Sequence, residues 1–539
     1  MQSQRSGRPG IIGMVVETIR RYLPLAVLVA AAVVALSFVP SLGSRVGKAP
    51  VTLSDATGLP PGVGPAPNPG TPGLTVGGVS CGPGVRQVPW SKYAPICVPA
   101  WHGNNGGATA PGVTGTTITV TYREVASAEL ATLYSIVPKS VVGTDQGAIK
   151  AIQAYISLFN RTFELYGRHV VLKPFASQSD FVAELDGGDQ AQAQADAETA
   201  KADHAFADLS VIDATPVYDQ ALAEQHIISF TPFGGPDSEF AQFSPYEYST
   251  IPVCQKTNLG TAEVIGRSLA RTPVSFSGDP SMNGKHRVFG IVYDSDPTDQ
   301  ECNNALEKDL ASYGVKVATT AAVSLNGSTL QEQIANVVAQ FKAAHVTTVI
   351  ATGLDWFTPI LLTAAANQQG YYPEWFTTDF IDGFSRLVQQ NQWSHAIALG
   401  MQAQAEDQSE AYKAYRMSGA TGPLIPTYPF VYQPVLMLFD AIQQAGPYLT
   451  PRTFQQGFRS LPPSLPGGMY GQWAPGPGSY DPFGSFSVVW WSPKAVSAVD
   501  GPGGAWLSCN GGAQYSYSPG GAKLPYGKPL GCFGRSGPG

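Results

Sequence analysis

Charged residues are scarce in this chain. Asp, Glu, Lys and Arg make up 13% of its 539 residues, and the formal net charge is −7. A nucleic-acid-binding protein needs a basic footprint for the phosphate backbone, so this composition argues against that class. The seven His are isolated from one another and no CxxC pair occurs. A metal site of the zinc type is therefore not expected.

Short motifs of common enzyme classes are also lacking. The chain contains no phosphate-binding P-loop and no H-E-x-x-H motif, and the turn after the first predicted strand lacks G-x-G-x-x-G. Asp294 and Asp296 share one loop, but without a His or metal partner they make no catalytic constellation. We therefore predict a non-enzyme without a cofactor. A hydrolase on an α/β scaffold is the remaining enzymatic alternative.

Positive charge precedes an apolar run at the N-terminus. Arg5, Arg8, Arg20 and Arg21 come before residues 22–39, a run at the short end for a membrane span and long for a signal-peptide core. This order predicts a cytoplasmic N-terminus and an exported remainder. Two alternatives stay open. An uncleaved signal anchor makes a single-pass protein of the cell membrane, whereas a cleaved signal peptide makes a secreted one.

The next segment, residues 40–115, is rich in Pro and Gly, as in LPPGVGPAPNPGTPG. Such a composition buries too little apolar surface to offset the entropy of the chain. We predict a disordered linker that is semi-extended where Pro dominates. Its second half carries Cys81 and Cys97, which could form a small local clip.

Six Cys are present, and an even count fits an exported protein with disulfides. Sequence alone allows fifteen pairings. The simplest joins nearest neighbours: Cys81 with Cys97, Cys254 with Cys302, and Cys509 with Cys532.

Residues 287–382 alternate between apolar runs and helical patterns without a break. RVFGIVYDSD and TTVIATGLD are apolar runs that end in turn residues, whereas the helical pattern between them places Ile334, Val337 and Phe341 on one face. Such alternation predicts right-handed crossovers and a parallel sheet. Ligands of these sheets bind beyond the carboxyl ends of the strands, so polar residues after each strand are the first candidates for function.

A similar pattern begins near residue 116, so the chain holds two α/β lobes that could close on a ligand. The predicted segments are a cytoplasmic N-terminus (1–21), the transmembrane signal anchor or signal peptide (22–39), the linker (40–115), lobe 1 (116–252 and 383–465), lobe 2 (253–382 and 466–495) and a Gly-rich, Cys-bearing tail (496–539).

Several ordered segments of residues 116–493 resemble type I periplasmic binding proteins, in particular the Leu/Ile/Val-binding branch of solute receptors for ABC importers. RVFGIVYDSD is similar to the strand that opens their second lobe. TVIATGLDWFTPILLTAAANQQGYYPEWFTTD resembles their strand, cleft loop, helix and next strand. PFVYQPVLMLFDAIQQAG resembles the long helix that returns across both lobes, and YGQW with FGSFSVVWW resembles the closing strand pair.

The resemblance implies an α/β, two-lobed type I periplasmic-binding fold. Each lobe would be a mostly parallel sheet flanked by helices, with three crossovers between the lobes and a ligand held in the cleft. Here this fold would be preceded by one transmembrane helix and a disordered linker. In the family, hydroxyl and backbone N–H groups hold the ligand carboxylate, and an acidic side chain of the second lobe holds the ligand amine.

Carried onto this sequence, the resemblance implies ligand-binding residues in both lobes. Some have a structural alternative: Thr215 and Asp355 also fit helix N-caps, and the glycine pair also fits a simple turn. The candidates are Ala214, Thr215, Thr231, Phe233, Gly234, Gly235, Tyr293, Asp294, Asp355 and Trp356.

The function implied by the resemblance is an extracytoplasmic solute-binding protein. Its ligand would be a small polar molecule that is amino-acid-like, an amide or a small acid, and its partner would be an ABC permease. The membrane would be contacted through the N-terminal helix. The alternative is an extracytoplasmic ligand sensor or cell-envelope regulator with no transport role.

Overall fold

The computed structural model describes residues 60–126, 130, 134, 137–185, 187–324, 329–355, 357–379, 382–400, 409–497 and 501–533. Residues 22–39 lie outside these ranges, so the signal anchor or signal peptide stays a prediction. Within the described ranges, no helix is long and apolar enough to cross a membrane.

Residues 60–115, which we call the collar, are folded onto the first lobe. Their short strands β1 (Gly73–Leu74) and β2 (Ser80–Cys81) pair antiparallel. Val88, Tyr93 and Ala94 are buried in the hydrophobic core of that lobe. The prediction of a disordered linker is therefore wrong for residues 60–115, because their aromatic and apolar side chains have a distant surface to pack on.

The first lobe contains parallel strands. β4, β3 and β5 form a parallel sheet, β6 pairs parallel with β7, and a parallel bridge between Ala207 and Ile228 links the two groups. The strands are β3 (Thr117–Glu124), β4 (His169–Ala176), β5 (Ala207–Asp208), β6 (Ser229–Thr231) and β7 (Glu247–Ser249). The helices are α1 (Lys139–Val142), α2 (Asp145–Phe159), α3 (Phe181–Leu185), α4 (Gln190–Ala202), α5 (Pro216–Glu224) and α6 (Asp237–Phe243).

The second lobe is built on a larger sheet, in which β9, β8, β10, β11 and β12 are parallel neighbours and β13 is antiparallel to β12. The strands are β8 (Phe289–Asp294), β9 (Val317–Val323), β10 (Thr348–Gly353), β11 (Glu374–Thr378), β12 (Ala396–Gly400) and β13 (Ser485–Ser492). The helices are α7 (Cys254–Arg267), α8 (Pro297–Ser312), α9 (Leu330–Ala343), α10 (Thr358–Gln368), α11 (Asp382–Ser385) and α12 (Gln390–Trp393).

Three late helices return to the first core: α13 (Glu410–Met417), α14 (Tyr428–Ala445) and α15 (Pro451–Arg459). α14 is apolar nearly all round, as expected of a helix buried on every side. Its aromatic side chains pack against α2, where Phe159 meets Phe439 with ring centroids 5.3 Å apart. Thr450 caps α15 and Pro451 is its first residue, an order that favours the start of a helix.

The C-terminal tail belongs to the second lobe. Its strands are β14 (Val496–Ser497), β15 (Gly501–Pro502), β16 (Ala505–Ser508) and β17 (Tyr515–Ser516), and both β16 and β17 pair with β13. Leu524 and Leu530 are buried in the core of that lobe.

The structure differs from the predicted lobe boundaries in two places. β12, within the 383–465 segment assigned to lobe 1, is a strand of the second sheet. Tyr470 and Trp473, within the 466–495 segment assigned to lobe 2, lie in the first core. The chain thus passes to the second lobe after β7, returns between β12 and α13, and crosses again before β13, which makes three crossovers.

The nearest-neighbour disulfide pairing is confirmed. Cys81–Cys97 closes the collar, Cys254–Cys302 joins α7 to α8, and Cys509–Cys532 holds the tail, with sequence separations of 16, 48 and 23 residues. Each bridge therefore staples one local unit rather than joining the two lobes.

Candidate functional site

The strand-end regions of the two lobes touch each other. Helix α6 follows β6 of the first lobe, and helix α8 follows β8 of the second. The hydroxyl of Ser238 on α6 donates to the carboxylate of Glu301 on α8, with 3.0 Å to each oxygen. The loops after β6 and β8 therefore lie on the same side of the molecule as this interlobe contact.

Two carboxyl groups adjoin at the ends of neighbouring parallel strands β8 and β10. Asp294 Oδ2 accepts a hydrogen bond of 3.1 Å from the backbone N–H of Asp355. Asp355 Oδ1 accepts from the N–H groups of Phe357 and Thr358, at 2.5 and 2.9 Å, ahead of helix α10. The N-cap position of α10 is Phe357, so Asp355 is not the N-cap residue itself but accepts hydrogen bonds in the turn that leads into the helix. Its second oxygen, Oδ2, is buried without a hydrogen-bond partner among the described residues.

Asp294 is the more deeply buried member of this pair, with 8% of its surface exposed. Its Oδ1 also has no hydrogen-bond partner in the part of the chain that the structure describes. Burial, together with the charges of Asp355 and Asp296, raises its pKa to about 8. The pKa of Asp355 is likewise raised by burial. Each carboxyl is thus held by backbone N–H groups through one oxygen, and the other has no hydrogen-bond partner within normal distance among the described residues. The hydroxyl of Thr358 lies close enough to the Asp355 carboxyl to act against the rise of its pKa.

A third acidic residue, Asp299, lies in the first turn of α8. Its pKa is raised well above the usual range by burial, by a hydrogen bond with Asp296 and by the charges of Asp296, Asp294 and Glu239. Glu239 belongs to α6 of the first lobe. The group of interacting acidic side chains around Asp299 therefore includes residues of both lobes.

The two predicted aromatic contacts of the second lobe have different outcomes. Tyr293 packs in the hydrophobic core of the lobe, and its hydroxyl donates to Gln300 Oε1 over 2.9 Å. This arrangement favours a packing role. Trp356 lies outside the described residues, so its ligand contact stays a prediction.

The predicted hydroxyls of the first lobe are used within the lobe. Thr215 Oγ1 accepts from the N–H of Tyr218 as the N-cap of α5 and donates to Glu184 Oε2 over 2.6 Å. Thr231 Oγ1 accepts from the N–H of Phe233 and also hydrogen-bonds Asp219. Both threonines are at most 1% exposed, and the preceding Ala214 is buried as well. The N-cap alternative for Thr215 is confirmed.

Close packing requires glycine at the first position of the pair after β6, whereas at the second position the close neighbour is the end of a flexible side chain. A Cβ on Gly234 would lie 2.6 Å from the carbonyl oxygen of Pro252, and a Cβ on Gly235 would lie 2.5 Å from Glu239 Oε2. The carbonyl of Phe233 accepts from the hydroxyl of Ser249, and that of Gly235 accepts from the N–H of Cys254. This loop is therefore fastened to the crossover that leads into the second lobe.

A buried ion cluster at the strand ends of the first lobe is not anticipated by the sequence patterns. Arg123, at the end of β3, is fully buried and lies 2.9 Å from Glu184 and 3.7 Å from Asp196. Its guanidinium also lies 3.8 Å from the ring centre of Tyr218. The local signal is an Arg near the end of a β-branched strand, and its partners are 61 and 73 residues away in sequence. This cation is already neutralised by the chain's own carboxylates.

A sequence motif and a cavity lie outside the strand-end regions, and neither forms a functional site with them. A G-x-S-x-G spacing at residues 78–82 lies on the collar around β2 and not in a strand-to-helix turn, so it does not form a nucleophile elbow. Among the described residues, no group of three or more His, Cys, Asp or Glu is placed to hold a metal ion. A cavity of about 430 Å³ lies on the collar beside Trp101 and Tyr166 and includes none of the strand-end residues.

A family model described as periplasmic binding protein matches residues 140–477, more than half of the chain. This chain belongs to the periplasmic binding protein family. The resemblance seen in the sequence is thereby confirmed. No curated protein matches the chain in sequence.

Solved structures with the same fold include substrate-binding proteins of ABC transporters. The leucine-, isoleucine-, valine-, threonine- and alanine-binding protein of Brucella ovis, in its closed conformation, is 14% identical with a TM-score of 0.53. The match covers 78% of this chain and 98% of that chain. An ABC transporter substrate-binding protein of Aeropyrum pernix is 11% identical with a TM-score of 0.52, covering 75% and 97%. At these identities the likeness establishes the fold alone.

Proposed function

We propose that this protein is an extracytoplasmic solute-binding protein that captures a small polar ligand between its two lobes. One observation carries the proposal: Asp294 and Asp355 adjoin at neighbouring strand ends and each keeps a buried, unsatisfied oxygen. Buried polar atoms are normally hydrogen-bonded, so such atoms at the ligand-binding edge of a parallel sheet favour a bound partner. Membership of the periplasmic binding protein family supports the same function.

We propose binding rather than catalysis. Asp294 adjoins both Asp355 and Asp299, and the hydroxyl of the first-lobe candidate Thr215 is occupied as a helix cap. A nucleophile with an adjacent base, as covalent catalysis requires, is not part of this arrangement. The ABC permease partner and the membrane anchor are parts of the same proposal.

A metabolite screen by thermal shift tests the proposal. A ligand that binds the native state raises its stability by RT ln(1 + [L]/Kd), so a compound at 100 times its Kd adds about 2.7 kcal/mol. We expect the purified full-length protein to show a raised Tm with at least one amino-acid-like, amide or acid compound. An unchanged Tm across libraries of all three classes and of small organic cations would contradict solute binding.

The contribution of Asp355 is best tested with two variants. Asp355→Asn keeps an acceptor for the N–H groups of Phe357 and Thr358, whereas Asp355→Ala also removes these hydrogen bonds, which costs about 1 kcal/mol or more. We expect both variants to lose binding of a ligand amine. Retained affinity in the Asn variant would remove Asp355 from the site.

The sensor alternative is favoured by one observation. Tyr93 of the collar packs against Tyr470 and Trp473, which precede the last crossover, with ring centroids 5.6 and 4.5 Å away. A change in lobe closure could therefore reach the N-terminal part of the chain. Neighbouring permease and ATPase genes, and loss of solute uptake on deletion, would support transport. Normal uptake with an altered envelope response would support the sensor.

A further inference from the structure

The carboxyl groups of Asp294 and Asp355 share the same pattern of hydrogen bonding. In each carboxyl one oxygen accepts from backbone N–H groups, which fixes the orientation of the group. The other oxygen, Oδ1 of Asp294 and Oδ2 of Asp355, is buried without a partner among the described residues. Two acceptors are thus left on two oriented carboxyls of adjacent strands.

The charges around this pair are acidic. Asp355 and Asp296 act on Asp294, and Asp296, Asp294 and Glu239 act on Asp299. A buried carboxylate without a counter-charge is costly, and two side by side are costlier, because like charges repel strongly at low dielectric. An added cation would offset both the cost of burying the carboxylates and the repulsion between them.

Two cations, one at a strand end of the first lobe and one just after the first crossover, have other partners. Arg123 is paired with Glu184. Lys256, on α7 after the first crossover, lies 2.6 Å from Asp481 and donates to the carbonyl of Phe483. These side chains therefore supply neither the missing counter-charge in the second lobe nor a ready partner for a ligand carboxylate in the first.

We propose that the ligand is a small organic cation with at least two N–H donors, an alkylguanidinium or a diamine, that donates to Asp294 Oδ1 and Asp355 Oδ2 together. This inference rests on the proposed solute-binding function and narrows its ligand class. Charge-assisted hydrogen bonds are about twice as strong as neutral ones, and planar guanidinium donors suit carboxylate acceptors.

The test compares cationic ligands with uncharged, zwitterionic and acidic ones. Arginine, agmatine and putrescine are measured against citrulline, leucine, glutamate and 4-hydroxybenzoate by thermal shift and calorimetry on the full-length protein. We expect at least one of the three cations to raise the Tm. If that cation is arginine, citrulline should bind at least tenfold more weakly, because it keeps the shape but lacks the charge.

Matched variants locate the interaction. Asp294→Asn and Asp355→Asn should each weaken cation binding at least tenfold, and both should remain folded, because the amide oxygen can keep the backbone hydrogen bonds. Asp203→Asn is the control, since this exposed carboxyl pairs with Lys173 on the surface of the first lobe, and its affinity should equal that of the wild type.

Two outcomes separate failure of this inference from failure of the proposed function. If leucine, glutamate or 4-hydroxybenzoate raises the Tm and the cations do not, the protein binds solutes but the cation assignment is wrong. Unchanged cation affinity in both Asn variants would overturn the assignment in the same way. If no probe of any charge and no compound of the wider screen shifts the Tm, solute binding itself is contradicted.

Discussion

The hydroxyl of Tyr93 accepts a hydrogen bond of 2.7 Å from the backbone N–H of Tyr470 and donates one of 3.0 Å to the carbonyl of Gly471. Tyr93 belongs to the collar, whereas Tyr470 and Gly471 precede the last crossover between the lobes. All of these groups are buried. The collar is therefore part of the folded domain and fastens its own Pro/Gly-rich sequence to the region where the lobes are joined.

Replacing this hydroxyl should destabilise the protein. Tyr93→Phe keeps the ring but leaves the Tyr470 N–H and the Gly471 carbonyl buried without a partner, which costs about 1–3 kcal/mol. Tyr526→Phe is the control, because Tyr526 is exposed and its ring contacts do not need the hydroxyl. The free energy of unfolding in urea measures both. Equal stability of the two variants would contradict a structural role for the collar.

The collar also shows where sequence reasoning failed. Local composition predicts disorder, because the segment has too few apolar residues to form a core alone. Its partners lie far along the chain: Glu410 accepts from the Ser91 hydroxyl at 2.5 Å and from the Lys92 N–H at 2.9 Å, across more than 300 residues. A local pattern cannot reveal a surface that only the folded lobe creates.

Other features were predictable because they are local. The apolar run that becomes β8 ends at Asp294, and the caps at Thr215 and Thr450 follow from residue type and position before Pro. The assignment of β12 to the wrong lobe has a different cause. A short apolar strand looks the same whichever sheet it joins, and its partner β13 is some 90 residues further on.

The stability of the ligand-free protein should fall as the pH rises. Burial raises the pKa values of Asp145, Asp219 and Asp294 to about 6, 7 and 8, above the 3.8 of a free Asp. The folded state then binds more protons than the unfolded state between these values, so the free energy of unfolding decreases with pH in this window. We expect a lower Tm at pH 8 than at pH 5.

A variant assigns part of this pH dependence. Asp294→Asn removes the ionisation that faces Asp355 and Asp296, with Asp299 nearby on α8. One pKa unit corresponds to about 1.4 kcal/mol. The decrease in unfolding free energy between pH 5 and 8 should therefore be smaller in the variant than in the wild type, by an amount on the order of 1 kcal/mol or more. Asp203→Asn should keep the wild-type slope. Parallel profiles for wild type and Asp294→Asn would show that Asp294 ionises as freely as in the unfolded chain.

Thr215 should prove structural rather than ligand-binding. Thr215→Ala removes the cap of α5 and the hydrogen bond to the buried Glu184, so we expect a loss of about 2 kcal/mol in unfolding free energy. Thr215→Ser keeps the hydroxyl and should retain most of the stability. Ligand affinity, measured with any compound that raises the Tm of the wild type, should be unchanged in both. If the Ala variant has normal stability but no longer binds ligand, Thr215 is a ligand-binding residue.

Arg123 should be among the most sensitive positions of the first lobe. Arg123→Met keeps much of the side-chain volume but leaves Glu184 and Asp196 buried without their counter-charge, which typically costs 3–5 kcal/mol. Lys173→Met is the matched control, because the side chains of Lys173 and its partner Asp203 are 44% and 38% exposed, and solvent-exposed pairs contribute at most about 1 kcal/mol. Denaturant unfolding of the two variants measures the difference. A loss in Arg123→Met no larger than in the control would mean that the carboxyls take up protons or reach water when the cation is removed.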